Sequence, residues 1–481
     1  MPRRWTLLPV LCLALTFCAF ASNAVAQNDY GLPELGGSSA TVSSGEEHRL
    51  GRAWLRQFRA QTDEWQDPIA QDYIHGLVAR LLPHTGVHDD TVITLVDSRL
   101  LNAFAVPGGV VGVNSGLFTF TESEDALASV LAHELGHLSQ HHFARRMQRV
   151  EETQLPTMGA MLVGMVLAAG GAGDAGLATM VGSQAAFIQD QLAYSRRFEQ
   201  EADRVGLEAL ADAGFDPQAM PELFRAMQRL ASLQGGNPPE FLLTHPVTEA
   251  RIADTQARAD QMPSPEPHDS TAFSLIRARA LLALNRDNPN QAMTQLRQDD
   301  APDVAIRYLQ ALIDAHNGHT AQALDAIDQL SAAQPDLSML PASAAQVAFD
   351  AGQRDVALTR AQRILRLQPD YRPAQLIEAE VLLQQDPRQA YDILRRMSDQ
   401  YPEDPQVFSL LAEAAGRSDR NLWGMLARAE QLQLTGHIDR AIKQLDIAEE
   451  TARDQGDFAM ASRLGERRKA YLGYRQTLQN F

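Results

Sequence analysis

The chain reads as a mainly helical α+β protein: a helical domain carrying a small sheet, followed by an all-α solenoid. Three observations carry that reading. Residues 133–137 are His-Glu-Leu-Gly-His within a helical pattern, short β-like runs lie just upstream, and a repeat of about 34 residues governs the C-terminal part.

The N-terminus comes first. Arg3 and Arg4 precede an apolar run from Leu7 to Phe20, and Ala24-Val25-Ala26 follows before Gln27. Basic head, short apolar core and small-x-small exit describe a secretory signal peptide, residues 1–26, cleaved after Ala26. The run is short for a membrane span, and an uncleaved anchor is the competing reading. Both cysteines, Cys12 and Cys18, lie inside it, so the exported chain is expected to hold no disulfide. Phe17 is too bulky for a lipoprotein cleavage site before Cys18. The formal net charge is −18, and removing Arg3 and Arg4 makes it −20. That balance argues against nucleic acid or anionic lipid as the main partner.

Residues 27–45 are rich in Gly, Ser, Asn and Pro and are expected to form a flexible leader. A helix is predicted from Glu46, where Leu50, Trp54, Leu55 and Phe58 recur at helical spacing. A second follows Pro68, with Ile69, Tyr73, Ile74, Leu77 and Leu81. Thr91–Val96 alternates as a strand. Leu101–Val106 and Val110–Val113 read as strands around a turn at Pro107-Gly108-Gly109. A long helix is predicted from near Glu122, carrying Ala126, Leu127, Val130, Leu131, His133, Glu134, His137 and Leu138. Residues 157–182 are rich in Gly, Ala and Met, and their apolar run is short for a transmembrane helix. Two readings stay open there. One is a helix or hairpin packed on the domain core. The other is a mobile lid, or a flap contacting membrane or a partner.

After about residue 265 the composition shifts to Ala, Leu, Gln, Asp and Arg. Gln334-Pro335-Asp336 recurs as Gln368-Pro369-Asp370, and Tyr401-Pro402-Glu403 follows. Ala323, Ala357 and Ala390 each precede one of these prolines by the same interval. Gly318, Gly352 and Gly436 each stand five residues before an alanine, the last being Ala441. Small residues at a helix crossing with proline at the close are the tetratricopeptide signature. Such repeats stack as helical hairpins and bind extended or helical segments. The predicted division is a domain over 46–264 and repeats over 265–481.

His133 and His137 lie one helical turn apart, so both imidazoles can reach one metal ion. Glu134 beside them can reach a water on that metal, the HExxH arrangement of zinc hydrolases. Catalytic zinc takes three protein ligands and keeps a position for water. Downstream runs Ser195-Arg196-Arg197-Phe198-Glu199-Gln200-Glu201-Ala202-Asp203. Glu199 and Asp203 share a helix face, so one carboxylate can bind metal while the other accepts a hydrogen bond from a ligand histidine or faces the substrate. Glu201 falls on the outward phase.

These motifs, with Asn102-Ala103-Phe104-Ala105-Val106-Pro107-Gly108-Gly109 upstream, resemble the CAAX-prenyl-protease and HtpX group of zinc metallopeptidases. The resemblance implies a zincin-like (gluzincin) protease domain with zinc as cofactor. It implies His133, His137 and Glu199 as ligands, Glu134 as catalytic base and Asp203 as a proton donor. Membrane-integral branches carry several spanning helices that this sequence lacks. A signal peptide, a soluble protease domain and tetratricopeptide repeats resemble a periplasmic branch. That implies a periplasmic location and protein substrates, with the repeats recruiting substrate or the outer-membrane protein assembly machinery.

His245-Pro246 with Arg251 is a second constellation, and the family carries a similar element near its active site. His245 and Arg251 could donate to the oxyanion or hold the substrate backbone. His245 could instead take the open metal position as a fourth ligand and keep the enzyme latent. The plain alternative is that His245 caps the following helix and Arg251 makes a structural salt bridge. His141 and His142 are assigned structural or surface roles. The strand Asn102, Ala103, Phe104, Ala105 and Val106 is expected to offer an edge on which substrate adds as a β-strand, or to be an ordinary edge strand.

Two functions follow. One is an exported zinc endopeptidase acting on misfolded or misassembled envelope proteins. The other is a chaperone or adaptor for outer-membrane protein assembly with a latent protease domain. A structural metal site has no use for Glu134, which favours the first.

Overall fold

The computed structural model describes residues 44–87, 91–146, 148–149, 195–233, 239–266 and 269–479. The signal peptide, residues 27–43 of the leader and the segment 157–182 lie outside the described residues. Among the described residues, no helix is long and apolar enough to cross a membrane.

Helix α1 (Ser44–Arg59) carries Glu46 and Glu47 in its first turn and Arg56 and Arg59 in its last, charges that oppose the helix dipole. Helix α2 (Pro68–Leu81) starts with proline at its first position. Asp67 caps it, accepting from the N–H groups of Ile69 and Ala70. Three strands follow: β1 (Val92–Val96), β2 (Ala103–Val106) and β3 (Val110–Asn114). β3 lies central. β1 pairs with it in parallel, Val92 opposite Val110, and β2 antiparallel, Ala103 opposite Val113. Gly108 and Gly109 turn between β2 and β3 with φ of +76° and +78°, where a side chain would be strained. Helix α1 lies directly on that turn: a Cβ on Gly51 would sit 1.7 Å from the Pro107 carbonyl oxygen.

β2 is shorter than the pattern Leu101–Val106 predicts, because the Leu101 carbonyl turns away to accept from Phe241 N–H at 3.3 Å. The short helix α3 (Ser115–Phe120) was not anticipated; six residues hold too little periodicity to show. Helix α4 (Glu124–Ser139) carries the histidine motif. Ser123 caps it through the Ala126 N–H, and Leu127 to Gly136 are buried without a break. Helix α5 covers residues 195–212. Then come α6 (Ala219–Leu233), α7 (Glu240–Thr244) and α8 (Glu249–Ala259).

Twelve helices follow, from α9 (Thr271–Leu284) to α20 (Phe458–Gln479). Ala323, Ala357, Ala390 and Ala441 are fully buried, as the repeat requires of residues at a helix crossing. Gly318, Gly352 and Gly436 take positive φ at the hairpin turns. The apolar core runs continuously from Trp65 in the first part to Val381 in the repeats. Arg279 on α9 reaches Asp67 at 2.7 Å, so one aspartate caps α2 and holds the solenoid. Helix α1 makes a second tie. Arg52 donates to the Gly108 carbonyl at 3.0 Å, and Arg56, nearly fully buried, donates to Gln433 and lies 3.5 Å from Glu403.

Candidate metal centre

Two glycines set the approach of the two helices that carry the site. A Cβ on Gly136 would lie 2.8 Å from the Ala202 carbonyl oxygen, and one on Gly206 would lie 2.9 Å from the Ala132 carbonyl oxygen. Backbone therefore meets backbone where α4 crosses α5, and Ala132 and Ala202 fill the remaining space. This close crossing brings Glu199 and Asp203, both buried, beneath His133 and His137.

The nitrogen and oxygen atoms of His133, His137, Glu199 and His245 converge, all within 4.8 Å of one another. His133 Nε2 lies 3.1 Å from His137 Nε2 and 3.4 Å from His245 Nδ1. Glu199 places Oε1 3.5 Å from His137 Nε2 and Oε2 3.5 Å from His133 Nε2. His245 Nδ1 stands 3.1 Å from Glu199 Oε2, and its Nε2 stands 3.6 Å from Glu134 Oε1. The His245 ring stacks on Phe241, centroids 4.8 Å apart.

Asp203 sits behind this cluster. Its Oδ1 is 2.9 Å from His133 Nδ1, and Arg251 grips both its oxygens, Nε at 2.7 Å and Nη2 at 2.6 Å. Arg251 Nη1 also reaches Glu199 Oε2 at 3.1 Å and donates to the Pro246 carbonyl at 2.9 Å. Nε, Nη1 and Nη2 of this guanidinium all point inward, and the residue is 3 % exposed. The helix after His245 is capped by Thr248, whose hydroxyl accepts from the Arg251 N–H, and not by His245. His245 instead closes α7, its N–H donating to the Phe241 carbonyl.

The environment sorts the charges. Burial pushes the Glu199 carboxyl up, but hydrogen bonds from His133 and His245 outweigh it and hold the group well below the usual carboxylate range. Burial likewise raises Asp203, and the bidentate Arg251 outweighs it. Glu134 differs. Burial raises its pKa, and the charges of His245 and His133 offset this only in part. Its Oε1 is buried with no hydrogen-bond partner, while the carboxylate accepts from the Ala105 N–H. Burial lowers His133, but Asp203 and Glu199 lift it to about 9. Burial and the charge of His133 drive His137 well below the ordinary imidazole range.

β2 borders the cluster as an edge strand. The Asn114 N–H donates to the Asn102 carbonyl at 3.1 Å, so in an antiparallel ladder the polar groups of Asn102, Phe104 and Val106 face β3. Those of Ala103 and Ala105 then face away from β3, in keeping with the Ala105 bond to Glu134. The Phe104 ring lies over Gly112 and is held by Trp54 and Phe58 of α1. Of the structural and surface roles expected for His142, its burial excludes the surface one: it is 3 % exposed and lies 2.9 Å from His137. The pattern signal for it was spacing: five residues past His137, it requires a chain reversal that periodicity does not show.

The model of peptidase family M48 matches residues 68–259. The chain is similar to the beta-barrel assembly-enhancing protease of Escherichia coli (strain K12), 33% identical over 92% of this chain and 91% of that one. The protein of the same name from Yersinia pestis is 32% identical over 92% of this chain and 93% of its own. The mitochondrial metalloendopeptidase OMA1 of Arabidopsis thaliana is 26% identical over 49% of this chain and 44% of its own. A solved tetratricopeptide-repeat domain, that of P58(IPK), aligns with 67% of this chain and 99% of its own at 16% identity. Its TM-score of 0.17 is too low to define a shared fold. The family match and the relatives together define a metalloendopeptidase. The chain belongs to peptidase family M48.

Proposed function

We propose that the chain is an exported zinc endopeptidase that hydrolyses misfolded or misassembled envelope proteins, residues 46–264 doing the chemistry and residues 265–481 recruiting. One observation carries the reading. A buried, unpartnered carboxylate oxygen of Glu134 faces a cluster of imidazole nitrogens and a carboxylate whose atoms lie within bridging distance of one ion. Nitrogen and oxygen donors without sulfur fit zinc, and three nitrogens are too many for a magnesium or calcium site. His133, His137 and Glu199 would hold it. When bound, zinc supplies a Lewis acid that polarises a carbonyl and acidifies a water.

The residues supply the rest. Glu134, its pKa raised toward the working range, takes a proton from the attacking water. The water oxygen bonds to the scissile carbon, the C–N bond breaks, and Glu134 passes the proton to the departing amine. Asp203 holds His133 in the tautomer that presents Nε2, and Arg251 holds Asp203. Arg251 and Asp203 are thus positioning residues in this reading, and neither donates to substrate. The outer edge of β2, where Ala103 and Ala105 turn their polar groups away from β3 and the Ala105 N–H meets Glu134, suits addition of a substrate strand beside the catalytic carboxylate, a mode that reads backbone and tolerates varied sequences.

His245 supports a latent resting state. Its Nδ1 stands among the ligand atoms and its Nε2 faces Glu134, so it fills the space that an attacking water needs. Peptide hydrolysis then requires His245 to swing away. The relatives named for β-barrel assembly support a periplasmic location and outer-membrane proteins as the substrate class. A cavity of about 950 Å³ between Val92–Leu95 and Arg372, Tyr401, Glu403 and Asp404 supports recruitment by the repeats. The test compares wild type with Glu134→Gln on an unfolded protein and on outer-membrane precursor proteins. Cleavage by wild type alone is expected. Equal cleavage by both would leave the chaperone or adaptor reading in its place.

A further inference from the structure

His133 Nδ1 faces a carboxylate directly, that of Asp203. Glu199 reaches only the Nε2 side of His137, at 3.5 Å, and among the described residues no carboxylate is placed against His137 Nδ1. That atom meets His142 instead, Nδ1 to Nδ1 at 2.9 Å. His142 Nε2 in turn lies 3.2 Å from Glu201 Oε2, and Arg145 Nη1 lies 2.9 Å from the same oxygen. We propose that His142 and Glu201 are the positioning pair for His137, fixing its tautomer and its ring so that Nε2 faces the metal site. The proposal rests on the ligand assignment made above.

The chemistry of the donors sets the direction of the chain. An ionised Glu201, paired with Arg145, only accepts. His142 must therefore donate through Nε2, which leaves its Nδ1 as an acceptor. His137 then carries its proton on Nδ1 and its lone pair on Nε2, the atom 3.1 Å from His133 Nε2. The backbone is bent to achieve this. His141 adopts φ of +49°, a left-handed conformation that is strained for a non-glycine residue. That bend after α4 turns His142 back beside His137. Glu47 holds the bend, its Oε2 2.9 Å from His141 Nδ1. The His142 ring is clamped flat against Phe198, centroids 4.2 Å apart at 21°, and Arg145 covers Phe198 at 4.8 Å. Phe198 and Glu201 flank the ligand Glu199 on α5, so the segment that offers one ligand also orients another.

The experiment titrates zinc into the metal-free full-length chain against a chelating dye, and records the visible spectrum of the cobalt-loaded protein. Variants are His142→Leu, His142→Asn, Glu201→Ala and, as a control, Glu199→Ala. Loss of an outer partner of a metal histidine typically weakens affinity about 10- to 100-fold. That loss and a shifted cobalt band are expected for His142→Leu, with a smaller loss for Glu201→Ala. His142→Asn should recover most of the affinity, because the amide oxygen can accept where Nδ1 did. Should His142→Leu fail to fold by circular dichroism, the half-exposed Glu201 decides through Glu201→Ala. Zinc affinity and cobalt spectrum unchanged in His142→Leu or, for want of a folded protein, in Glu201→Ala, with Glu199→Ala impaired, would overturn this inference alone. So would a loss that His142→Asn does not recover while Glu201→Ala is normal. If Glu199→Ala binds as wild type does, the ligand assignment falls and this inference with it.

Discussion

Replacing Gly136 by alanine adds one methyl group to the crossing of α4 and α5. That methyl would stand 2.8 Å from the Ala202 carbonyl oxygen and 3.1 Å from its Cα, where ordinary contact begins at 3.4 Å. Both neighbours are backbone, so no rotamer change relieves them, and the helices must part by about 0.6 Å. Overpacking of this kind costs about 1–3 kcal/mol, which leaves the protein folded. The geometry of the proposed ligands suffers more. Glu199 is three residues from Ala202, and metal–ligand distances tolerate only about 0.2 Å. Misplacement approaching 1 Å costs on the order of 100-fold in rate, so kcat/KM should fall about 10- to 100-fold with a parallel loss of zinc affinity. Gly76→Ala in α2 is the control: nothing lies within 4 Å of the added methyl, and the change should stabilise by about 0.5–1 kcal/mol. Thermal denaturation, zinc titration and steady-state cleavage are run side by side. Wild-type zinc affinity and kcat/KM in Gly136→Ala would refute the argument that this crossing sets the site.

Other consequences are as specific. Arg251→Met strands Asp203 and Glu199 as buried carboxylates, and breaking such a pair costs about 3–5 kcal/mol, read as a lowered Tm. Arg251→Lys should rescue poorly, because a lysine cannot grip both Asp203 oxygens. The raised pKa of His133, from 6.5 to about 9, gives two opposite pH trends. Its contribution to the stability of the metal-free chain is full below about pH 6.5 and is lost as pH rises through about 9. Zinc must displace that proton, so affinity should rise about tenfold per pH unit from 7 to 9 and then level off, measured by competition titration. His245→Ala should leave zinc bound and raise the cleavage rate; a rate that is unchanged would remove His245 from the control of the site.

Much of this was legible in the sequence where one element carried the whole pattern. His133, Glu134 and His137 are fixed by one helix, and Glu199 and Asp203 by another. The repeats announced themselves because Ala323, Ala357 and Ala390 return at the same helix crossing. What pattern could not show is how separate elements meet. Arg251 proves to grip Asp203 because α8 packs against α5, and nothing in a 48-residue separation reports that contact. His142 depends on a left-handed bend at His141, a residue with no glycine to mark it. The role of α1 was equally hidden: its helical period was plain, but its burial between the Gly108 turn and Gln433 is a matter of tertiary packing.

Metal removal and return on a single unfolded substrate bears most directly on whether this cluster is a zinc-dependent hydrolytic site. Wild-type protein should cleave the substrate, lose that activity on chelation, and regain it with one equivalent of zinc, while Glu199→Ala regains little at the same concentration. Cleavage that persists in the metal-free protein would contradict the account.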